Sequence, residues 1–272
     1  MTAIAIEGLA HVYPDGDVRA LDGVDLRIEA GEAVALVGQN GSGKSTLVRH
    51  LNGLLRPTQG RVLLDGRETR DQTVAQLARQ VGLCFQDPDQ QVFSGSVRAE
   101  VAFGPRNLGL GGAELDRAVG AALAAVGLAD EAGTNPYDLG YSRRKLLATA
   151  SVLAMGTPVV VLDEPTTGQD ARGVAHIADI VHGLATEGRT AIAISHDMAF
   201  VAEHFARVVV MRAGTIALDG SPGEVFAEAA WPTLASTYLE PPYAALAGAR
   251  LGLGSTPTIG SVVDALRARV SA

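Results

Sequence analysis

The apolar residues of this chain fall into short continuous runs, separated by stretches in which they recur every three or four positions. Runs with the length and continuity of a strand buried on both faces occur at 33–37, 159–162, 191–194 and 208–211. Helical spacing is found over 47–55, 113–128 and 143–155. Continuous apolar strands that alternate with amphipathic helices are typical of a sheet covered by helices. The pattern therefore predicts an α/β domain.

Weaker patterns flank this core. Residues 4–6 and 24–28 predict short antiparallel strands near the start of the chain, and residues 215–218 predict a strand that follows the run at 208–211 across a turn. From Trp231 onward the composition changes, because prolines interrupt two short apolar patterns, 243–253 and 259–270. These patterns predict small helices that cannot form a core of their own, and a loosely packed tail is the alternative.

We therefore divide the chain into two parts. The first is a domain over residues 1–230, with a mostly helical insertion at about 88–155. The second is a C-terminal helical extension over residues 231–272. One stretch, 146–162, is apolar enough to resemble a membrane span, but Gly156 and Pro158 divide it into a helix and a buried strand. We expect no direct membrane insertion, so that any membrane role comes through a partner.

Composition narrows the function further. The net charge of −8 disfavours binding to nucleic acid or to an anionic lipid surface. The single cysteine, Cys84, excludes a disulfide framework or a zinc cluster, and its apolar neighbours favour a packed strand residue. The 32 glycines and the low aromatic fraction of 4% suit an α/β domain with many tight turns.

A complete phosphate-binding loop follows the first buried run. It consists of Gly38, Gln39, Asn40, Gly41, Ser42, Gly43, Lys44, Ser45 and Thr46. The glycines let successive backbone N–H groups turn towards an anion, and the following helix adds its positive end. Lys44 would reach the outer phosphates, Ser45 would bind Mg²⁺ and Thr46 would donate to an inner phosphate. A glycine-rich turn without a ligand is the alternative, but the strand–loop–helix context predicts binding of a nucleoside triphosphate.

Two carboxylates end the second buried run. Asp163 and Glu164 follow the strand predicted at 159–162, and such strand ends point at the crevice where ligands bind in parallel sheets. Asp163 would complete the Mg²⁺ site and Glu164 would polarise an attacking water. A solvated loop is the alternative for this pair alone. The position after a phosphate-binding loop favours the catalytic interpretation.

The order of these motifs, with Gln86 after an apolar strand and His196 after the run at 191–194, resembles that of ABC-type ATPases. The segments 85–91 and 101–110 are similar to those of the ATPase subunits of energy-coupling factor (ECF) importers for vitamins, cobalt or nickel. The resemblance covers residues 3–228. It implies a P-loop NTPase fold of ABC type, with a mixed central sheet, N-terminal antiparallel strands, a helical subdomain and a small helical appendage. It also implies an ATP-hydrolysing enzyme whose cofactors are ATP and Mg²⁺.

The resemblance assigns further roles by position. Tyr13 would stack on adenine, with an ordinary turn tyrosine as the alternative. Gln86 would sense the γ-phosphate through Mg²⁺ or water and transmit the state to a membrane partner. His196 would contact the γ-phosphate and orient Glu164. A loop at the interface of two ATPase chains would contain three residues, Gly168, Gln169 and Asp170.

The signature motif departs from the family pattern. In ABC ATPases the partner chain's Leu-Ser-Gly-Gly-Gln segment completes each ATP site. Aligned from Asp163 without gaps, the corresponding segment here is Leu139, Gly140, Tyr141, Ser142 and Arg143. The hydroxyl that would reach the γ-phosphate is missing, and a tyrosine stands where a glycine lets the backbone approach. A weakened signature is the first interpretation; partial replacement by Ser142, or by the charge of Arg143 or Arg144, is the second.

The contrast between the complete ATP-site motifs of this chain and its altered signature predicts its partners. A chain with its own phosphate-binding loop, Glu164 and His196 can hydrolyse ATP if a second ATPase chain supplies a good signature, so we expect a heterodimer rather than a homodimer. The resemblance adds a transmembrane coupling subunit and a substrate-capture membrane protein, and places the chain at the cytoplasmic face of the cell membrane. Two alternatives remain, which are an ATP-binding regulatory or structural subunit with low turnover and a soluble ABC ATPase unrelated to transport. The transported substrate is not encoded in this chain.

Overall fold

The computed structural model describes residues 3–14 and 18–271. Its strands are β1 (Ile4–Tyr13), β2 (Val18–Ile28), β3 (Ala33–Val37), β4 (Gln59–Leu64), β5 (Arg67–Glu68), β6 (Val81–Cys84), β7 (Val159–Asp163), β8 (Thr190–Ile194), β9 (Arg207–Arg212) and β10 (Thr215–Gly220). Its helices are α1 (Lys44–Leu51), α2 (Val74–Leu77), α3 (Val97–Asn107), α4 (Gly112–Ala125), α5 (Tyr141–Leu153), α6 (Ala171–Thr186), α7 (Met198–His204), α8 (Pro222–Val225), α9 (Trp231–Ala235), α10 (Tyr243–Arg250) and α11 (Ile259–Val270). Single 3₁₀ turns occupy Thr69–Asp71, Pro88–Gln90, Ala129–Glu131, Pro136–Asp138 and Glu228–Ala230.

The central sheet has six strands in the order β10-β9-β3-β8-β7-β6. The four pairs from β9 to β6 are parallel, and β10 alone is antiparallel to its neighbour β9. The register places Leu36 of β3 opposite Ile194 of β8, and Asp163 of β7 opposite the same Ile194. The carboxyl ends of β3, β8 and β7 therefore meet at one edge, where residues that follow each strand come together.

Both faces of this sheet are covered, which explains the continuous apolar runs in the sequence. Alternate strand residues such as Val34, Leu36 and Val161 pack with the N-terminal sheet and α1 on one side. Their neighbours, such as Ala35 and Val160, pack with helices α3 to α6 on the other. Each strand is thus buried on two faces, and its polar residues are confined to its ends. Cys84 is a packed residue of β6, as predicted, and burial raises the pKa of its thiol to about 11.

The N-terminal strands form a separate antiparallel sheet in the order β2-β1-β4-β5. β1 and β2 are longer than the patterns at 4–6 and 24–28 predicted. The register of this pair shifts between Ile6 and Leu9, near Gly8, whose φ is 57°. A bulge of this kind breaks the two-residue alternation of apolar side chains without ending the strand, so the continuation was not visible as a pattern.

Helix α1 is shorter than the apolar spacing over 47–55 predicted. It ends at Leu51 because Gly53 takes the left-handed conformation, with φ of 75°, and redirects the chain. Leu54, counted in the predicted helical face, is instead 47% exposed.

Helices α3, α4 and α5 lie within residues 88–155 and pack against one another beside β6 and β7. The chain after residue 230 is not uniform. Leu234, Leu239 and Ala245 are buried in the main core, whereas α11 buries none of its residues. Across the described ranges 3–14 and 18–271, no helix has the length and apolar character needed to cross a bilayer.

Candidate nucleotide site

The phosphate-binding loop is held against the central sheet at positions where only glycine fits. Gly38 has a φ of 149°, and a Cβ there would collide with the carbonyl oxygen of Met211. Gly43 has a φ of 104°, and its Cβ would lie 2.5 Å from the carbonyl oxygen of Ala20. The loop is also tied to the β9–β10 turn, because Gly214 N donates to Ser42 O at 3.0 Å. Substitution at Gly38 or Gly43 would therefore displace the backbone that forms the anion cradle.

Lys44, the first residue of α1, is buried and folds back over its own loop. Its ammonium donates to the carbonyl oxygens of Gly38 at 2.6 Å and Gln39 at 2.9 Å. Burial lowers the pKa of Lys44, and the carboxylates of Glu164 and Asp163 oppose this shift. The cation is thus already desolvated and fixed beside the loop, which favours contact with an incoming phosphate.

Asp163, at the end of β7, faces the first turn of α1. Ser45 Oγ donates to Asp163 Oδ2 at 3.1 Å, and the carboxylate is buried. A hydroxyl and a carboxylate beside a phosphate cradle are the hard oxygen ligands that Mg²⁺ takes together with nucleotide phosphates. These two side chains fit a Mg²⁺ ion. In residues 3–14 and 18–271 there is no group of three or more His, Cys, Asp or Glu side chains arranged around a metal site.

Glu164 follows Asp163 and is held by two neighbours. Its Oε1 lies 3.0 Å from His196 Nε2, and its Oε2 accepts a hydrogen bond from Thr167 Oγ1 at 3.2 Å. Its backbone N–H donates to Ile194 O at 2.9 Å, which ties the residue to β8. The carboxylate is buried, while the His196 side chain is 41% exposed and faces the cleft.

The pKa values of Asp163 and Glu164 are shifted in the opposite direction from that of His196. Burial raises the pKa of both Asp163 and Glu164 above their ordinary values. Burial, and next the nearby Lys44 ammonium, lower the pKa of His196, while Asp163 opposes this shift. A carboxylate with a raised pKa beside an imidazole with a lowered pKa is a combination that general acid–base chemistry uses.

These residues line one cleft of about 470 Å³. It brings together Tyr13, the loop residues Asn40 to Thr46, Gln86, Asp163, Glu164 and His196. The cleft also contains four residues that no sequence motif had singled out, Val18, Arg19, Ala20 and Ile194. Their exposure to the site depends on how β2 and β8 lie beside α1, and a single sequence carries no signal for that placement.

Tyr13 is supported from behind by two buried histidines. Its hydroxyl lies 3.1 Å from Thr46 Oγ1, and its ring meets that of His11 edge to face at 4.7 Å. His11 packs in the same way on His50, whose Nδ1 donates to Thr46 O at 2.7 Å. Burial lowers the pKa of His50, because the interior disfavours a charged imidazolium. The sequence had not related these histidines to the site.

A comparison with protein families identifies the family of this chain. The family model described as "ABC transporter" matches residues 21–167, which include the phosphate-binding loop and the carboxylates at the end of β7. The chain belongs to the ABC transporter family. It is therefore an ATP-binding ABC ATPase, as the order of motifs had implied.

Individual relatives agree with this assignment. The energy-coupling factor transporter ATP-binding protein EcfA2 of Symbiobacterium thermophilum is 45% identical over 84% of this chain and 81% of its own length. A relative from Streptomyces avermitilis, described as a "Putative ABC transporter ATP-binding protein", is 44% identical over 83% of this chain and 85% of its own.

Solved structures share the fold. CbiO1 of Clostridium perfringens, described as part of the ABC transporter complex CbiONQ, superposes with a TM-score of 0.75 at 38% identity, over 84% of this chain and 92% of that one. A dimeric bacterial ABC transporter cassette gives a TM-score of 0.72 at 25% identity, over 80% of this chain and 98% of its own.

The signature segment of this ABC ATPase, residues 139–143, lies outside the cleft that holds its own phosphate-binding loop. Gly140 is the N-cap residue of α5 and provides no side chain to the first turn. Tyr141 is 44% exposed and its ring lies over Gly168, where a Cβ would be 3.0 Å from the ring. Ser142 and Gln169 form a reciprocal pair, in which Ser142 Oγ donates to Gln169 Oε1 at 2.7 Å and Gln169 Nε2 donates to Ser142 O at 3.0 Å.

The two arginines that follow are already paired within the chain. Arg143 forms an ion pair with Glu131. Arg144 pairs with Asp89 at 3.0 Å and donates to Leu139 O at 2.9 Å. Neither guanidinium is free to replace the missing serine at a phosphate unless these contacts break. Asp89, in the segment 85–91, is therefore engaged by α5.

Proposed function

We propose that this chain is the ATP-hydrolysing motor subunit of an ECF-type importer for a vitamin or a transition-metal ion. The observation that carries the proposal is the single cleft in which the phosphate-binding loop, Asp163, Glu164 and His196 converge. The resemblance of segments 85–91 and 101–110 supports the importer assignment, as do the relatives described as an energy-coupling factor transporter ATP-binding protein and as part of the ABC transporter complex CbiONQ.

Each residue of the cleft has a chemical role in this proposal. The loop amides and Lys44 hold the phosphates, and Ser45, Asp163 and Gln86 are the candidate Mg²⁺ ligands. When bound, Mg²⁺ neutralises charge on the transferred phosphoryl group. Glu164 accepts the proton of the attacking water, and His196 orients Glu164 through the 3.0 Å contact between them.

The nucleobase end of the cleft is assigned to Tyr13. Its ring is positioned by His11 and its hydroxyl by Thr46, so that one aromatic face is available for adenine. Residues 15–17, which follow Tyr13 and Pro14, lie outside the described residues.

The assembly is a heterodimer with a second ATPase chain. In an ABC dimer each ATP is completed by the partner's signature, and here residues 139–143 offer neither a serine at the second position nor a glycine at the third. Ser142 is engaged by Gln169 and Arg143 by Glu131, so this chain gives a weak signature to its partner. A partner with an intact signature would restore hydrolysis at this chain's own site, so that one site is strong and the other weak.

Two membrane subunits complete the complex. Phe93, which follows segment 85–91 in the chain, and Phe103 form an exposed aromatic pair with ring centroids 4.8 Å apart, which suits a coupling helix of a transmembrane subunit. A separate membrane protein would capture the substrate. The chain itself would be peripheral, at the cytoplasmic face, and would contact neither substrate nor nucleic acid.

Hydrolysis by the purified chain tests the heterodimer. We expect little turnover from the chain alone and a strong increase after co-expression with the second ATPase and the membrane subunits, abolished by Glu164→Gln in this chain. Robust turnover without any partner, abolished by the same substitution, would show that residues 139–143 work as a signature and would overturn the asymmetric dimer.

A second function is favoured by one observation. The engagement of Tyr141, Ser142 and Arg143 within the chain would leave both sites of a homodimer with a weak signature, which suits a regulatory subunit that binds ATP but scarcely hydrolyses it. Single-turnover measurements on the reconstituted complex distinguish the two. Motor function predicts ADP formation at this chain's site, whereas a regulatory subunit would retain intact ATP there.

A further inference from the structure

A buried cation connects the signature helix α5 to the catalytic loop of the same chain. Lys145 is 1% exposed, and its ammonium donates to the backbone carbonyl of Thr167 at 3.2 Å. A lysine is seldom buried this fully unless its charge is compensated. Burial lowers the pKa of Lys145, and nearby Cys84, Glu164, Asp163 and Asp87 oppose this shift, so the two carboxylates after β7 are among the groups that compensate the charge.

The same loop residue holds the carboxylate of Glu164. Thr167 is bonded at its backbone to Lys145 and at its hydroxyl to Glu164 Oε2, at 3.2 Å. The far oxygen of Glu164 lies 3.0 Å from His196 Nε2. A continuous chain of polar contacts therefore runs from α5 through Thr167 and Glu164 to His196.

A second connection fixes the same two elements one turn away. Ser142 and Gln169 exchange two hydrogen bonds, at 2.7 and 3.0 Å, and the Tyr141 ring covers Gly168. The N-terminal turn of α5 and residues 167–169 are thus joined at three successive positions. A movement of α5 that keeps these contacts must move Thr167 with it.

We propose that Lys145 and Thr167 are positioning residues for Glu164, through which the signature helix sets the orientation of this chain's own general base. The segment that faces the partner's ATP is thereby coupled to hydrolysis at the chain's own ATP. The inference rests on the proposed role of Glu164. It goes further because it assigns catalytic importance to a residue of α5 and a residue of the loop after β7, neither of which lines the nucleotide cleft.

The proposal depends on the hydroxyl of Thr167. Thr167 is an exposed residue, so replacing its side chain costs little packing. Its hydroxyl donates to the Glu164 carboxylate, while its backbone N–H donates to Glu164 O at 3.3 Å and is kept in any substitution by a residue other than proline. Without that hydroxyl Glu164 Oε2 loses its donor and the carboxylate can rotate away from the attacking water. The contacts of Lys44 with Gly38 and of Ser45 with Asp163 do not involve Thr167, so this change leaves them in place.

The experiment compares Thr167→Val, which keeps the shape and removes the hydroxyl, with Thr167→Ser, which keeps the hydroxyl. The full chain is used in whichever assembly hydrolyses ATP, alone or with its partner chains. We expect Thr167→Val to lower kcat roughly tenfold with KM for ATP unchanged, and Thr167→Ser to retain wild-type kcat. Equal activity of Thr167→Val and wild type, or a loss confined to Thr167→Ser, would overturn the proposal.

Two further variants test whether Thr167 and Lys145 act on hydrolysis through Glu164. In a Glu164→Gln background, Thr167→Val should cause no additional loss of kcat, because the group that it positions is already gone. Lys145→Met should lower kcat with ATP binding retained, and combination with Thr167→Val should cost less than the product of the two single effects. Losses that multiply independently in both combinations would show that Thr167 and Lys145 do not act through Glu164.

Failure of the inference is distinguishable from failure of the proposed function. If Glu164→Gln hydrolyses ATP at the wild-type rate, Glu164 is not the base and both proposals fall. If Glu164→Gln is inactive while Thr167→Val is fully active, the motor function stands and the positioning role alone is wrong. Binding of a fluorescent ATP analogue and the melting temperature identify any variant whose loss of activity reflects misfolding.

Discussion

Glu164 carries an unusual backbone as well as an unusual environment. Its φ of 52° lies in the left-handed region, which costs a residue with a Cβ some conformational energy. The bond from its N–H to Ile194 O and the contacts of its carboxylate with Thr167 and His196 maintain this conformation. The strain turns the chain sharply after β7, so that Asp163 and the next side chain both face the cleft.

Removal of this carboxylate should stabilise the nucleotide-free protein. Burial raises the pKa of Glu164, so between the ordinary pKa and the raised one the folded chain binds more protons than the unfolded chain, and stability falls as pH rises through that window. For Glu164→Gln we expect a free energy of unfolding higher by about 1 kcal/mol at pH 7.5, with a smaller gain at pH 5.

Thermal melts without nucleotide and with EDTA measure this difference at both pH values. A gain of equal size at pH 5 and pH 7.5 would indicate a packing effect instead of a charge effect. A loss at pH 7.5 would show that the ionised carboxylate stabilises the empty site.

At the scale of single elements, helix α6 begins directly after the loop that contacts the signature segment. Asp170 is its N-cap residue, and the side chain accepts a hydrogen bond from Gly173 N at 2.8 Å. The sequence had placed Asp170 in a loop at the dimer interface, and that role stays a prediction. The structure adds a local one, since the cap satisfies an amide that the helix cannot satisfy itself.

Asp170→Ala should therefore lower the free energy of unfolding by about 1 kcal/mol, whereas Asp170→Asn should be close to wild type because asparagine caps equally well. The corresponding fall in melting temperature is about 2–4 °C for a chain of this size. Urea denaturation of the isolated chain measures the effect free of any dimer contact. Equal destabilisation by both substitutions would mean that the charge of Asp170, and not its capping bond, is what matters.

The described residues form two hydrophobic clusters, and the one that contains helices α3 to α6 reaches past residue 230, where the sequence had ended the nucleotide-binding domain. Leu234 is fully buried, and Trp231 packs against the same core while its indole N–H donates to Phe226 O at 3.0 Å. The last helix differs, because α11 has no buried residue and leaves Ile259 and Val270 at 77% and 89% exposure. The C-terminal extension thus contains a packed first part and an unburied last helix.

Deletion of residues 258–272, which removes α11, should change the melting temperature by less than about 2 °C, because no residue of α11 is buried. Leu234→Ala is the matched change within the packed part, and we expect it to cost about 2–5 kcal/mol. Differential scanning calorimetry of the two variants separates the cases. A large loss on deletion would mean that α11 stabilises the core in the isolated chain.

Where the proposed chemistry is carried by consecutive residues, the sequence alone was enough to predict the site. The phosphate-binding loop would act through its own successive amides, and Asp163 and Glu164 are adjacent in the chain, so a local motif predicts both the residues and their roles. The strands of the central sheet were predicted for a related reason, since burial on two faces makes each of them continuously apolar. The match of residues 21–167 to the ABC transporter family agrees with the predicted fold.

The tertiary structure decided what depends on distant residues meeting. Lys145 and Thr167 are 22 positions apart, and His11 and His50 are 39 apart, so no local pattern relates them. Each pair forms only because α5 packs beside the loop after β7, or α1 beside β1. The same holds for the signature segment, whose Ser142 and Arg143 looked available in the sequence. Their partners Gln169 and Glu131 become neighbours only on folding, when side chains far apart along the chain satisfy one another's hydrogen bonds and charges.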